Sequence, residues 1–76
     1  MRDINEIIGK MKVAVSARDK KDIYILLDKD IAKEMKITSN NLSIHKKRGT
    51  VPYVKIMDWC YKNNISMKEI FYGDKK

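Results

Sequence analysis

"ITSNNLSIHKKRG", Ile37 to Gly49, is the stretch on which the reading of this chain turns. Short hydrogen-bonding side chains occupy positions where a buried helix would carry bulk, and the run closes on Lys46, Lys47, Arg48 and a glycine. Thr38 suits the N-cap, because its hydroxyl can accept an orphan backbone N–H. Gly49 suits the exit, where positive φ is wanted. Between them Leu42 is the clearest inward-pointing residue, with His45 one turn later. Ser39, Asn40, Ser43, Ile44 and Lys47 face elsewhere. A helix with one firm anchor has most of its surface left for something outside the core.

Upstream, Asp28 reads as the N-cap of a short helix whose buried stripe is Ile31, Ala32 and Met35, ending near Lys36. Ile37 is the apolar residue of a tight turn. Further back, Ile4, Ile7, Ile8, Met11 and Val15 repeat at helical spacing and predict an amphipathic helix from about Asp3 to Ala17. "SARDKKD" is a solvated break. "IYILL", Ile23–Leu27, is too short for periodicity to separate strand from helix, and its β-branched and aromatic content predicts a short extended segment or turn. Downstream, Thr50–Val51–Pro52 opens a fourth helix with Pro52 in its first turn. Ile56, Met57, Trp59, Cys60 and Tyr61 supply its apolar face and part of a flank, and Asn63–Asn64 stop it. Ser66 and Glu69 match a capping box for a last helix that closes at Gly73. The expectation is all-α: a compact five-helix domain over 1–73 with a polar tail over 74–76.

Composition agrees. Seventy-six residues, 43% hydrophobic and 36% charged, make one small globular domain. The longest apolar run is the five residues of "IYILL", which excludes a membrane span and a signal-peptide core and predicts a cytoplasmic protein. The net charge is +7. Residues 38–76 hold eight cations against three anions, and no acid occurs between Glu34 and Asp58, where Lys36, Lys46, Lys47, Arg48 and Lys55 all fall. Such clustering is the electrostatic footprint of an anionic partner. One His and one Cys assemble no nucleophile–base pair and no metal site, so neither an enzyme nor a cofactor, metal or small-molecule substrate is expected. His45 reads as a partly buried structural histidine and Cys60 as a small core hydrophobe. Most of the six aromatics read as core, with Tyr53 the best surface candidate.

Two short helices joined by a tight turn suggest a helix-turn-helix. Ala32 allows close packing, and Ile37 and Leu42 plug the gap. Thr38, Ser39, Asn40, Asn41 and Ser43 could then reach base edges and phosphates in a major groove. "DIAKEMKIT", "KKRGTVPY" and "IMDWCYKNNIS" carry a resemblance to the N-terminal helix-turn-helix domain of bacteriophage CI-type repressors, over Asp28 to Gly73. The resemblance implies a lambda-repressor-like DNA-binding fold with Thr38 as cap. Ser39, Asn40, Ser43 and Ile44 would be groove-facing, Lys46, Lys47 and Arg48 a basic tail, and Thr50 and Tyr53 a phosphate-contacting junction. Lys36 departs from the family's usual turn glycine, His45 from its tryptophan or aliphatic residue and Glu69 from its aromatic. "KKDIYILL" is a longer link than is usual.

The expected function is a sequence-specific regulator, a repressor that blocks polymerase by occupying a double-stranded operator. Affinity near about 10⁻⁸ M calls for two copies on half-sites about one turn apart. The candidate homodimer surfaces are Ile23–Leu27 and the C-terminal helix, where Phe71 and Tyr72 could contribute. Family members take dimerisation from a further domain, so the chain reads either as an excised domain or as a short regulator that self-associates. The alternative is an antitoxin-like or anti-repressor-binding module that keeps the fold and binds protein.

Overall fold

The spine of the molecule is the first helix, α1 (Ile4–Asp19), which carries the expected apolar stripe and runs two residues beyond Ala17, into the segment expected to be a solvated break. The structure, a computed structural model, describes residues 2–72. Among them are four further α-helices, α2 (Asp28–Glu34), α3 (Ser39–Arg48), α4 (Tyr53–Lys62) and α5 (Met67–Phe71), and no strand. Ile4, Ile7, Ile8, Met11 and Val15 are all buried, five of the fifteen side chains in a single core cluster. α1 packs against α2, α3 and α5, and α2 packs against α3. The radius of gyration is 11.6 Å, close to the roughly 11 Å expected of a globule this size. No helix among the described residues is long and apolar enough to cross a membrane.

The helix starts carry their own signals. Asp3 accepts from the Glu6 N–H at 2.9 Å, and Glu6 accepts from the Asp3 N–H at 3.3 Å, a reciprocal capping box that the D-x-x-E spacing encodes. α2 differs from expectation: its N-cap is Leu27, with Asp28 the first helical residue. The Asp30 carboxylate accepts from the Leu27 N–H at 2.8 Å, while the Asp28 carboxylate is drawn away to Lys12 and Lys46. α4 begins one residue later than expected. Pro52 is its N-cap residue, and its carbonyl takes the Ile56 N–H at 3.2 Å. Ser66 is the N-cap of α5, but its side chain makes no capping bond. That helix is anchored instead by burying Ile70 and Phe71 and by Arg2, whose N–H donates to the Phe71 carbonyl at 2.7 Å.

The exits rely on left-handed backbone. Gly49 has φ 68, but Lys20, Lys36 and Asn64 also adopt positive φ, at 55, 61 and 55. Asn63–Asn64 therefore stop α4 as expected. The closing glycine expected at Gly73 and the polar tail 74–76 lie outside the described residues.

"IYILL" is neither strand nor irregular chain. Ile23–Ile25 form one 3-10 turn, capped by Asp22, whose side chain accepts from the Tyr24 N–H at 3.0 Å. Only Leu26 is buried, and Tyr24 is 90% exposed. On α4 the buried stripe is the narrow i, i+3, i+4 set Ile56, Trp59 and Cys60; Met57 and Tyr61, each one position further round, face out. So the aromatics are not mostly core: Trp59 and Phe71 are buried, and the four tyrosines are exposed.

One polar network locks three helix ends. The Arg18 guanidinium meets both Glu34 carboxylate oxygens, at 2.8 and 2.9 Å, and both Asp19 oxygens at the same distances. It also donates to Asn63 Oδ1 at 2.9 Å. Trp59 Nε1–H donates to Glu34 at 2.8 Å. The Arg18 hydrogen bonds, followed by that of Trp59, hold the Glu34 carboxyl below its usual range despite partial burial. Cys60 is fully buried, and that burial pushes its thiol up.

Two stability outcomes follow from these features. Glu34→Gln should cost roughly 1–3 kcal/mol at neutral pH, since it weakens charge-assisted bonds. Because Glu34 sits below its unfolded value of about 4.3, its contribution is present above that pH and lost as pH falls through the lowered folded value. Thermal unfolding of both proteins across acid pH should therefore show their difference shrinking. Lys36→Gly should raise stability by up to about 1 kcal/mol by relieving the left-handed lysine, read as a higher urea midpoint.

Candidate nucleic-acid interface

α3 is built to hold a polar face still. Thr38 Oγ1 accepts from the Asn41 N–H at 3.0 Å and fixes the start of the helix. Gly49 fixes its end, donating its N–H to the His45 carbonyl. Leu42, 1% exposed, is its single core residue. At about 100° per residue, Asn40, Ile44 and Lys47 point opposite Leu42, with Ser43 on one flank and Asn41 and Arg48 on the other. All six are exposed, as are Thr38 and Ser39. The outward stripe expected from the sequence is thus present on a helix capped at both ends.

Lys46 stands apart from its neighbours. It leaves α3 on the inward side, is half-buried, and donates to Asp28 Oδ2. Asp28 Oδ1 takes Lys12 of α1 at 3.0 Å. The Lys46 hydrogen bond first, and then Lys12, hold the Asp28 carboxyl below its usual range against the opposing effect of burial. The expectation that Lys46, Lys47 and Arg48 act as one free basic tail is corrected to this extent. Lys47 and Arg48 are exposed, whereas Lys46 already has an internal anion.

The junction after α3 is pinned. His45 is half-buried, and its Nδ1 lies 2.8 Å from Thr50 Oγ1, while the Thr50 N–H donates to the His45 carbonyl at 3.0 Å. His45 is therefore structural, as its isolation suggested. Thr50 stays exposed with its hydroxyl shared. Tyr53 opens α4 with its ring 5.5 Å from that of Phe71, tilted by 40°, which fixes an aromatic of the junction against α5. Phe71 is buried and so unavailable for dimer contacts, while Tyr72 is exposed.

Two further cations stand near the turn into α3. Lys36 sits beside Lys62, which lowers its proton affinity, while Lys62 is itself paired with Asp58 at 3.1 Å. No group of three or more potential metal ligands occurs among the described residues. Lys12 and Asp28 were missed as members of this region. Sixteen residues separate them, and only packing of α1 on α2 brings them together.

Thr38→Ala removes the cap without touching the outward stripe. It should cost about 1 kcal/mol of stability in urea unfolding and leave Asn40, Ser43, Ile44 and Lys47 chemically intact. No family model, curated protein or solved structure matches this chain, so the interface rests on its own geometry.

Proposed function

We propose that α2, the Lys36–Ile37 turn and α3 form a helix-turn-helix of the lambda-repressor-like kind, and that the protein is a sequence-specific double-stranded DNA-binding regulator. The observation that carries this reading is α3 itself: one buried side chain, two caps, and an exposed stripe of Asn40, Ser43, Ile44 and Lys47 in a segment without acids. In a major groove Asn40 can pair bidentately with adenine. Ser43 can bond several bases, and Ile44 can lie against a thymine methyl. Ser39 and Asn41 flank them at the N-terminal end of the helix. Lys47, Arg48, Thr50 and Tyr53 meet the phosphate wall that the helix exit would face. The regulator acts as a repressor resembling phage CI proteins, by occupying an operator that polymerase needs.

A module this small reads few base pairs, so two copies on half-sites about one turn apart supply the affinity. Tyr24, Ile25 and Leu27, exposed by 90%, 62% and 52%, offer a surface for the second copy. The same patch favours the runner-up reading, a module that keeps the fold and binds another protein.

Selection of fragmented genomic DNA by the purified protein at near-physiological salt, with sequencing of the retained fraction, tests the reading. An enriched inverted repeat supports it, and absence of any enriched sequence sinks it in favour of a protein partner. On the recovered site, Asn40→Ala should cost about 1–3 kcal/mol and leave binding to random DNA unchanged. Lys47→Ala should weaken both alike and reduce the salt slope by about one.

A further inference from the structure

We propose that Lys12 and Lys46 form a binding site for one backbone phosphate of duplex DNA, in which Asp28 stands in for the phosphate until DNA arrives. The inference rests on the DNA-binding reading above and adds to it a contact from α1, outside the helix-turn-helix.

Three helices meet at this point. Lys12 comes from the middle of α1, Asp28 is the first residue of α2, and Lys46 lies in the last turn of α3. Each carboxylate oxygen of Asp28 receives one ammonium, Lys12 on Oδ1 and Lys46 on Oδ2. A phosphodiester likewise presents two anionic oxygens on one centre, so the two lysines are already spaced for it. The cluster keeps one positive charge after internal pairing, two cations against one anion. Its side chains are 25%, 40% and 35% exposed for Lys12, Asp28 and Lys46. All three side chains therefore keep part of their surface in solvent.

Exchange is cheap in one direction. Solvent-accessible lysine–carboxylate pairs contribute little to stability, so releasing Asp28 to water costs little. A phosphate contact, in contrast, releases condensed counterions from DNA and gains salt-dependent affinity. Lys46 leaves α3 towards α2, away from the stripe of Asn40, Ile44 and Lys47, and so meets a different part of the DNA backbone from Lys47 and Arg48. Asp28 acts as an internal competitor that lowers general DNA affinity.

A random-sequence duplex carrying a fluorophore suits the test, because phosphate contacts carry no sequence information. Binding of the full chain is titrated over a salt series, with circular dichroism verifying that each variant is folded. Lys12→Gln should reduce the salt slope by about 0.9. Asp28→Asn should tighten binding several-fold at each salt concentration, and the double variant should lose that gain. A wild-type slope for Lys12→Gln, or no tightening with Asp28→Asn, overturns the proposal. Arg48→Ala separates the two levels of inference. If it weakens binding while Lys12→Gln does not, only the added site is wrong. If neither variant changes binding, the DNA reading falls with it. Thermal protection of the protein by inorganic phosphate without a slope change for Lys12→Gln would assign the site to free phosphate and also overturn the proposal.

Discussion

The Glu34 carboxylate is where the architecture is held. It ends α2, yet it receives a guanidinium from the end of α1 and an indole N–H from α4. Arg18 then extends the same junction to Asn63 at the end of α4, whose side-chain amide donates to the Trp59 carbonyl. Three helices that share few residues of sequence neighbourhood are thereby fixed at one end. The acceptors are satisfied, and no buried side-chain N or O atom among the described residues lacks a partner. A partly buried carboxylate is stabilising only when its oxygens are paired in this way. The core fills the volume between the helices, and this junction ties three of their ends together.

That arrangement is what allows α3 to contribute so little. A small domain buries only about 60% of its unfolded surface, and spending a ten-residue helix on a single core side chain is a poor use of it. The deficit is offset by α1, whose five buried residues serve α2, α3 and α5 together. α3 is instead secured by local devices: the Thr38 cap, the Gly49 exit and the His45–Thr50 bond. A rigid helix with an uncommitted face results, and preorganisation of that kind lowers the entropic cost of binding.

Periodicity carried most of the fold into the sequence. The α1 stripe, the α2 stripe and Leu42 are each legible because a helix facing one core repeats every 3.6 residues. "IYILL" was not, because three residues of 3-10 turn have no period to detect and their burial is decided by where α1 ends. Which of the α4 residues form the flank, Met57 and Tyr61, was not legible for a related reason: an apolar residue one step from the buried stripe looks identical in sequence to one within it. In the candidate interface, the outward set on α3 was readable from cap, anchor and exit. The diversion of Lys46 to Asp28, and the arrival of Lys12, were not. Ion pairs between remote segments depend on interhelical geometry, which no local spacing encodes. The same is true of Arg18 and Glu34, sixteen residues apart.

Cys60 has an experimental consequence of its own. It is the chain's lone cysteine, fully buried among the helices and with its thiol held in the protonated form. Thiolate is the reactive species, so a soluble disulfide reagent meets neither an accessible nor an ionised sulfur in the folded protein. Modification has to wait for α4 to lift from the core. The rate of labelling is then a native clock for that opening, readable without mutation or an added probe, and it reports the part of the structure to which Trp59 and the Glu34 junction belong.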